Sequence, residues 1–471
     1  MKLYFNYILL FITVGLFVAC DDDLDIEPEQ SLSTDAAFSD ENTAVASLMG
    51  VYSRSQDLEV FGAMPQVIAE YQADNVNFIG SFPTLQDINL FVTQADNGSI
   101  RSIWRDHYRM ILAANAVIKN VPNVDDSGFL QEERDQVVAE AKFLRAIGHF
   151  QLVNLFGQPY TLDNGASAGV PLILEPFILE GEVVMPMRNS VSEVYDQVER
   201  DLAEAVADLP ASYSSPDQTR GRATVGAANA LLSRVALYKG DWSTAESFAD
   251  QVIASDLYEL AGDYSFYDAN TSESIFSVQM TAVDNSRTGS GGWASFFMPA
   301  ENGARGDAPY SDDLLNSYEE GDLRLEALST KGENGLTYTT KFPDAINNTD
   351  NAPIIRTTEM FLNKAEALVQ QSGAVEQEAI DIINQLRTRA GLSSFTSADF
   401  SSGSALLDVI YDERRKELAF EGHRRMDLLR RGLSLRADLL QESAPGASRV
   451  VLPIPQYEID LGSSLPQNAG Y

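Results

Sequence analysis

The sequence predicts a mainly α protein in which helix pairs stack into a scaffold and long loops and small β-hairpins lie between them. Three observations carry that expectation. Apolar residues recur at helical spacing in several windows, two helix pairs share one spacing pattern, and stretches rich in Gly, Pro, Ser and Asn separate them. The 471 residues are 44% hydrophobic, so the chain can bury a large core despite a formal net charge of −36.

The chain opens with Lys2, an apolar run from Tyr4 to Phe17, and small Ala19 before Cys20, the only cysteine. That is the pattern of a secretory signal over residues 1–19, too short and wrongly flanked for a transmembrane helix. Phe17-Val18-Ala19-Cys20 resembles a bacterial lipobox, which makes Cys20 the expected lipidation site and acyl chains the membrane anchor. Asp21, Asp22 and Asp23 begin an acidic, Pro-containing tether over 20–34.

Residues 35–471 read as one domain, with a helical N-terminal part over about 35–260 and a C-terminal part over about 261–471. Ile100, Trp104, Tyr108, Ile111, Asn115 and Ile118 define one helix face, and Val137 through Leu155 define another that Gly157 and Pro159 stop. Ser190 and Glu193 form a capping box ahead of Val191–Val206, which Leu209-Pro210 ends. A hairpin over 227–255 turns at Gly240-Asp241-Trp242 and continues with Ala245, Ala249 and Val252; Ala379, Ile383 and Leu386 repeat that spacing after Gly373. Tetratricopeptide-like helix pairs have this spacing, and two ordinary antiparallel hairpins fit it as well. The long stretches 159–189, 209–222, 281–311, 328–352 and 441–471 read as irregular, with β-like runs at Ser274–Met280 and Leu336–Phe342.

Several chemistries are excluded or left without a constellation. An excess of 69 acidic over 33 basic residues argues against nucleic acid and anionic headgroups. One cysteine excludes a disulfide framework, and His107, His149 and His423 have no spacing for zinc. Gly165-Ala166-Ser167-Ala168-Gly169 matches G-x-S-x-G but lacks the strand and helix that expose a nucleophile. Asp284–Gly289 begins like a calcium loop, yet Ser295 stands where the bidentate Glu belongs. A glycosidase needs two carboxylates at a defined separation, and the sequence selects no such pair. The bases of Tyr411–Arg431 alternate with Asp412, Glu413, Glu417, Glu421 and Asp427, which suits ion pairing within the protein.

Trp104 and Trp242 read as core. Trp293 sits in the Gly-rich run Gly289–Phe297 with no helical or strand period; such an aromatic is either tucked against the body or displayed, and a displayed one would offer its face to a sugar ring. The overall charge favours neutral glycans over polyanions, although Arg287 or Arg305 can locally outweigh it.

Landmarks spread through the chain resemble one family. Glu140-Ala141-Lys142-Phe143-Leu144-Arg145-Ala146 with Leu155-Phe156-Gly157, Gly221-Arg222-Ala223-Thr224, Lys239-Gly240-Asp241-Trp242 and Ser272–Phe276 are similar to landmarks of the SusD/RagB proteins. So are Glu413–Gly422, Leu452-Pro453-Ile454-Pro455 and Gln467–Tyr471. The resemblance implies a tetratricopeptide-like SusD fold and a non-catalytic, lipid-anchored, surface-exposed outer-membrane protein of a Bacteroidetes uptake system. It implies a glycan ligand and delivery to a SusC-like TonB-dependent transporter; no cofactor or metal ligand is selected from the sequence, and a structural Ca²⁺ stays open. Ala73-Asp74-Asn75 resembles a segment from which members contribute a ligand-binding Asp. The candidate glycan contacts are therefore Asp74, Asn75, Phe78, Phe82, Trp293, Phe296 and Tyr310. A surface glycosidase or esterase, a peptide-binding RagB-like protein and a ligand-free helical adaptor are the alternatives.

Overall fold

The computed structural model describes residues 34–176, 186–286, 291–461 and 465–471. The signal segment, Cys20, the tether up to Ser33, and Arg287 lie outside the described residues.

The chain is mostly helical. The longer helices are α1 (Glu41–Ser55), α2 (Gly98–Asn120), α3 (Gln131–Phe156), α4 (Val191–Asp208), α5 (Val225–Lys239), α6 (Trp242–Ile253), α7 (Thr357–Ser372), α8 (Gln377–Arg389) and α9 (Gly403–Leu418). Their ends follow from the sequence. Asn97 caps α2 by accepting from the N–H groups of Ser99 and Ile100, and Ser190 and Glu193 close the expected box on α4. Gly240 ends α5 at φ 77° and Gly373 ends α7 at φ 66°, left-handed positions that a Cβ would strain.

Consecutive helices pack against one another: α2 on α3, α3 on α4, α5 on α6, and α7 on α8 and α9, with α6 against α7 joining the pairs. Polar stitches hold the pairs in register. Ser233 on α5 donates to the carbonyl of Ala245 on α6, and Asn363 on α7 reaches the Ser233 hydroxyl. One continuous apolar core runs from α1 through α5 and α6 to Leu452 and Ile454, and a second lies among α7, α8 and α9. Two small antiparallel sheets sit beside the helices: β1 (Ser274–Val278) with β4 (Ala352–Arg356), and β2 (Ser329–Lys331) with β3 (Thr337–Thr339). No helix among the described residues is long and apolar enough to cross a membrane.

Most of the interleaved charges of Tyr411–Arg431 are paired in the interior rather than solvated. Arg324 binds Asp322 and Glu413, Arg389 binds Glu273 and Glu417, Arg356 binds Glu273 and Glu421, and Arg430 binds Glu366 and Asp427, all between buried side chains. Burial alone would raise the Glu417 and Asp427 carboxyls; the surrounding guanidinium groups instead hold both below the usual carboxylate range.

The described part of the Gly-rich run, from residue 291 on, departs from the expectation of an irregular stretch. Trp293–Phe297 is a short helix whose residues are all buried. Its aromatics are large enough to override the weak local helical signal, because they complete the core under Phe342 and Phe420.

Candidate functional site

Three segments converge on the head of α2. Residues 76–79 run alongside 307–310: Val76 bridges Tyr310, and the N–H groups of Asn77 and Ile79 donate to the carbonyls of Pro309 and Asp307. Gly80 allows the close approach, since a Cβ there would meet Asp307 and the Phe78 ring at 2.6–2.7 Å. The chain then reaches Phe82, the residue before the short helix Pro83–Asn89. That helix is tied to α2 by Thr84 Oγ1 to Ser99 Oγ at 2.8 Å and by Asn97 Nδ2 to the Thr84 carbonyl at 3.0 Å. On the third side, the N–H groups of Arg305 and Gly306 donate to the carbonyls of Ser295 and Met298, which sets Arg305 beside the helix Trp293–Phe297.

The result is a cleft of about 400 Å³ lined by Leu58, Glu59, Met64, Phe82, Thr84, Leu85, Gly98, Ser99, Ser102, Phe296 and Arg305. Phe82 is 51% exposed, unusual for a ring of its size. The Arg305 guanidinium lies 5.3 Å from the centre of the Phe82 ring and 5.1 Å from that of Phe296. Its Nε donates to Asp307 Oδ2 at 2.7 Å, and its terminal nitrogens have no protein partner among the described residues. An apolar face beside a fixed set of donors and hydroxyls suits a ligand with both C–H faces and hydroxyl groups.

Other cavities suit a sugar less well. An enclosed space of about 50 Å³ among Gln66, His423 and Arg425 holds a few waters at most. A groove between α1 and α2 is lined chiefly by Ala, Gly and Ser, with Phe38 its single large aromatic.

The candidates chosen from sequence divide sharply. Phe82 and Phe296 meet in the cleft. Trp293 is not displayed, which corrects the expectation for it: it is 3% exposed, stacks on Phe342 at 4.8 Å, and donates from Nε1 to the Phe420 carbonyl. Tyr310 is likewise buried, 4.5 Å from Phe420. Phe78 packs on Tyr71 at 4.7 Å, half-buried beneath the cleft loop.

Asp74 has both carboxylate oxygens on Arg424, at 2.6 and 2.7 Å. Burial pushes its carboxyl up, but the hydrogen bond and charge of Arg424, with Arg415 beyond, hold it below the ordinary range. Asn75 is fully buried between Glu70 and Arg415. The Asp74-Asn75 pair therefore fastens the loop to the interior. Sequence reasoning did not choose Arg305, Ser99, Ser102 or Thr84 as site residues. Gly303 and Gly306, both at positive φ, flank Arg305, and Asp307 follows two residues on. That is a turn built to present one side chain, and it was the available signal.

A helical-repeat scaffold with an aromatic cleft at a junction of loops defines a class of binding protein. Comparison with known proteins makes the class specific. The family model described as "SusD family" matches residues 327–471, and that described as "Starch-binding associating with outer membrane" matches residues 22–237. SusD-like protein P25 of Formosa agariphila is 25% identical over 100% of both chains. A SusD superfamily protein from Bacteroides thetaiotaomicron superposes with a TM-score of 0.80 at 28% identity, covering 91% of this chain and 99% of its own. A laminarin binding SusD-like protein gives 0.76 at 27% identity, covering 92% and 100%. Together, the two family models and these relatives support a SusD-like protein.

Proposed function

We propose that this chain is a non-catalytic outer-membrane glycan-binding protein that captures an oligosaccharide in the Phe82–Phe296–Arg305 cleft. It passes the ligand to a SusC-like TonB-dependent transporter, and acyl chains on Cys20 hold it at the cell surface. The observation that carries the reading is the half-exposed Phe82 ring beside the Arg305 donors and the Ser99, Ser102 and Thr84 hydroxyls. A pyranose laid on Phe82 would bury its C–H face while its hydroxyls meet the donors, with stacking adding about 1 kcal/mol per ring. A few such contacts on a solvated cleft give affinities in the micromolar to millimolar range. The starch-binding description of one matching family model and the laminarin-binding name of a structural neighbour support a sugar ligand. Within this reading Asp74, Asn75, Phe78, Trp293 and Tyr310 support the cleft from beneath.

Affinity electrophoresis and calorimetry against a panel that includes starch and laminarin oligosaccharides test it. At least one glycan should be retained without release of reducing ends or acyl groups, and Phe82→Ala should weaken it five- to tenfold. Turnover of the polysaccharide would favour the glycosidase or esterase reading. Co-purification with the transporter checks the delivery step.

A further inference from the structure

Arg305 is the arginine that lines the cleft, and one edge of its guanidinium is left free. Nε is fixed by Asp307, so the plane of the group is set, while Nη1 and Nη2 present up to four N–H donors with no protein partner among the described residues. Phe82 and Phe296 flank the group and strip part of its hydration, which strengthens its attraction for a negative charge. Asp307 offsets part of the charge through Nε but leaves the terminal nitrogens open, and Glu59 is the acidic residue of the lining. The first turn of α2, through Gly98 and Ser99, adds the positive end of a helix dipole to the same wall.

A planar fork with two open nitrogens matches a carboxylate bidentately and also accepts a sulfate. We infer that, given the binding function proposed above, the cleft selects an acidic glycan: a carboxylate or sulfate substituent docks on the terminal nitrogens of Arg305 while an adjoining sugar ring stacks on Phe82. The overall charge had favoured neutral glycans; screening confines that field to about 10 Å at 0.1 M salt, so the local cation decides.

The test is calorimetry on the full chain with oligogalacturonides, oligomannuronates and sulfated galactan fragments, each beside its carboxyl-reduced or desulfated counterpart. Wild-type protein should bind at least one charged probe about tenfold more tightly than its neutral counterpart; whether that probe carries carboxylate or sulfate names the group. In Arg305→Gln the ratio should fall to about one. Arg305→Lys keeps the charge but loses the fork, and should lower the ratio by about threefold or more; it also serves if the Gln variant folds poorly. Equal affinity for charged and neutral probes in the wild type, or a preference that survives both substitutions, would overturn the inference and leave the glycan-binding function standing. Failure of every probe, charged and neutral, would count against that function as well.

Discussion

In the buried ion-pair cluster around Glu413–Arg430 and in the Phe82 cleft the same kind of side chain is put to opposite use. Arg324, Arg356, Arg389 and Arg430 are enclosed and matched with carboxylates of neighbouring elements, so their hydrogen-bonding capacity is turned inward. Arg305 makes one anchoring bond and keeps its outer edge for the solvent side. The contrast teaches that a dense cluster of charges in this chain marks the scaffold, whereas a lone cation between two phenyl rings marks the site. Because the buried bases are matched by buried acids, this pairing leaves the net charge of the exterior close to that of the whole chain.

The largest expected effect lies in the buried half of that comparison. Arg430→Met would strand Glu366 and weaken the pairing of Asp427, at a cost of about 3–5 kcal/mol read as a lowered urea midpoint. Glycan affinity of the folded fraction should be unchanged; a loss below about 1 kcal/mol would break the comparison. Trp293→Ala removes a buried ring and should cost roughly 3 kcal/mol, again with affinity retained. A selective loss of affinity there, without destabilisation, would restore Trp293 as a ligand contact.

Acidification gives an intermediate effect whose sign follows from the interior. Burial lowers His107 and His423 to about 4 and His149 to about 3, against 6.5 when exposed. Between about pH 6.5 and 4 the unfolded chain takes up protons that the folded one refuses, so each histidine subtracts stability as the pH falls, by roughly 1.4 kcal/mol per unit. Glu70 works the other way, since burial raises it to about 7 and the folded state binds its proton first. Asp57 and Glu458, also raised by burial, act in the same sense as Glu70; the three histidine shifts outweigh them, and the thermal midpoint should drop from pH 7 to pH 4.5. A flat or rising midpoint would contradict the assignment of neutral, buried histidines.

Most of the scaffold was legible because its signals are local. The α2, α3 and α4 faces, the Ser190–Glu193 box and the Gly240 turn each lie within a few residues of sequence. The family landmarks proved to be structural ties. Glu140 holds Arg222 at 2.6 Å, Arg145 holds Asp201 at 2.6 Å, and Gln467 bonds both the N–H and the carbonyl of Ile454. The cleft was only partly legible, because it lies between the landmarks and is assembled from segments far apart in the chain, 58–102 and 296–305. Glycine-rich flanks gave Trp293 the look of a displayed residue, while its actual partner, Phe342, is distant in sequence. For Asp74 the residue type was right for a ligand contact, but Arg424, some 350 residues on, already occupies it.

The smallest effect on stability carries the most weight for function. Phe82→Ala, at a half-exposed ring, should change the unfolding free energy by no more than about 0.5 kcal/mol. Titration calorimetry of this variant beside wild type, with the tightest glycan of the panel, tests the central claim that the ligand sits in the Phe82–Arg305 cleft. The account predicts a five- to tenfold loss of affinity at an unchanged thermal midpoint. Equal affinity in the two proteins would contradict it and place the ligand elsewhere on the molecule.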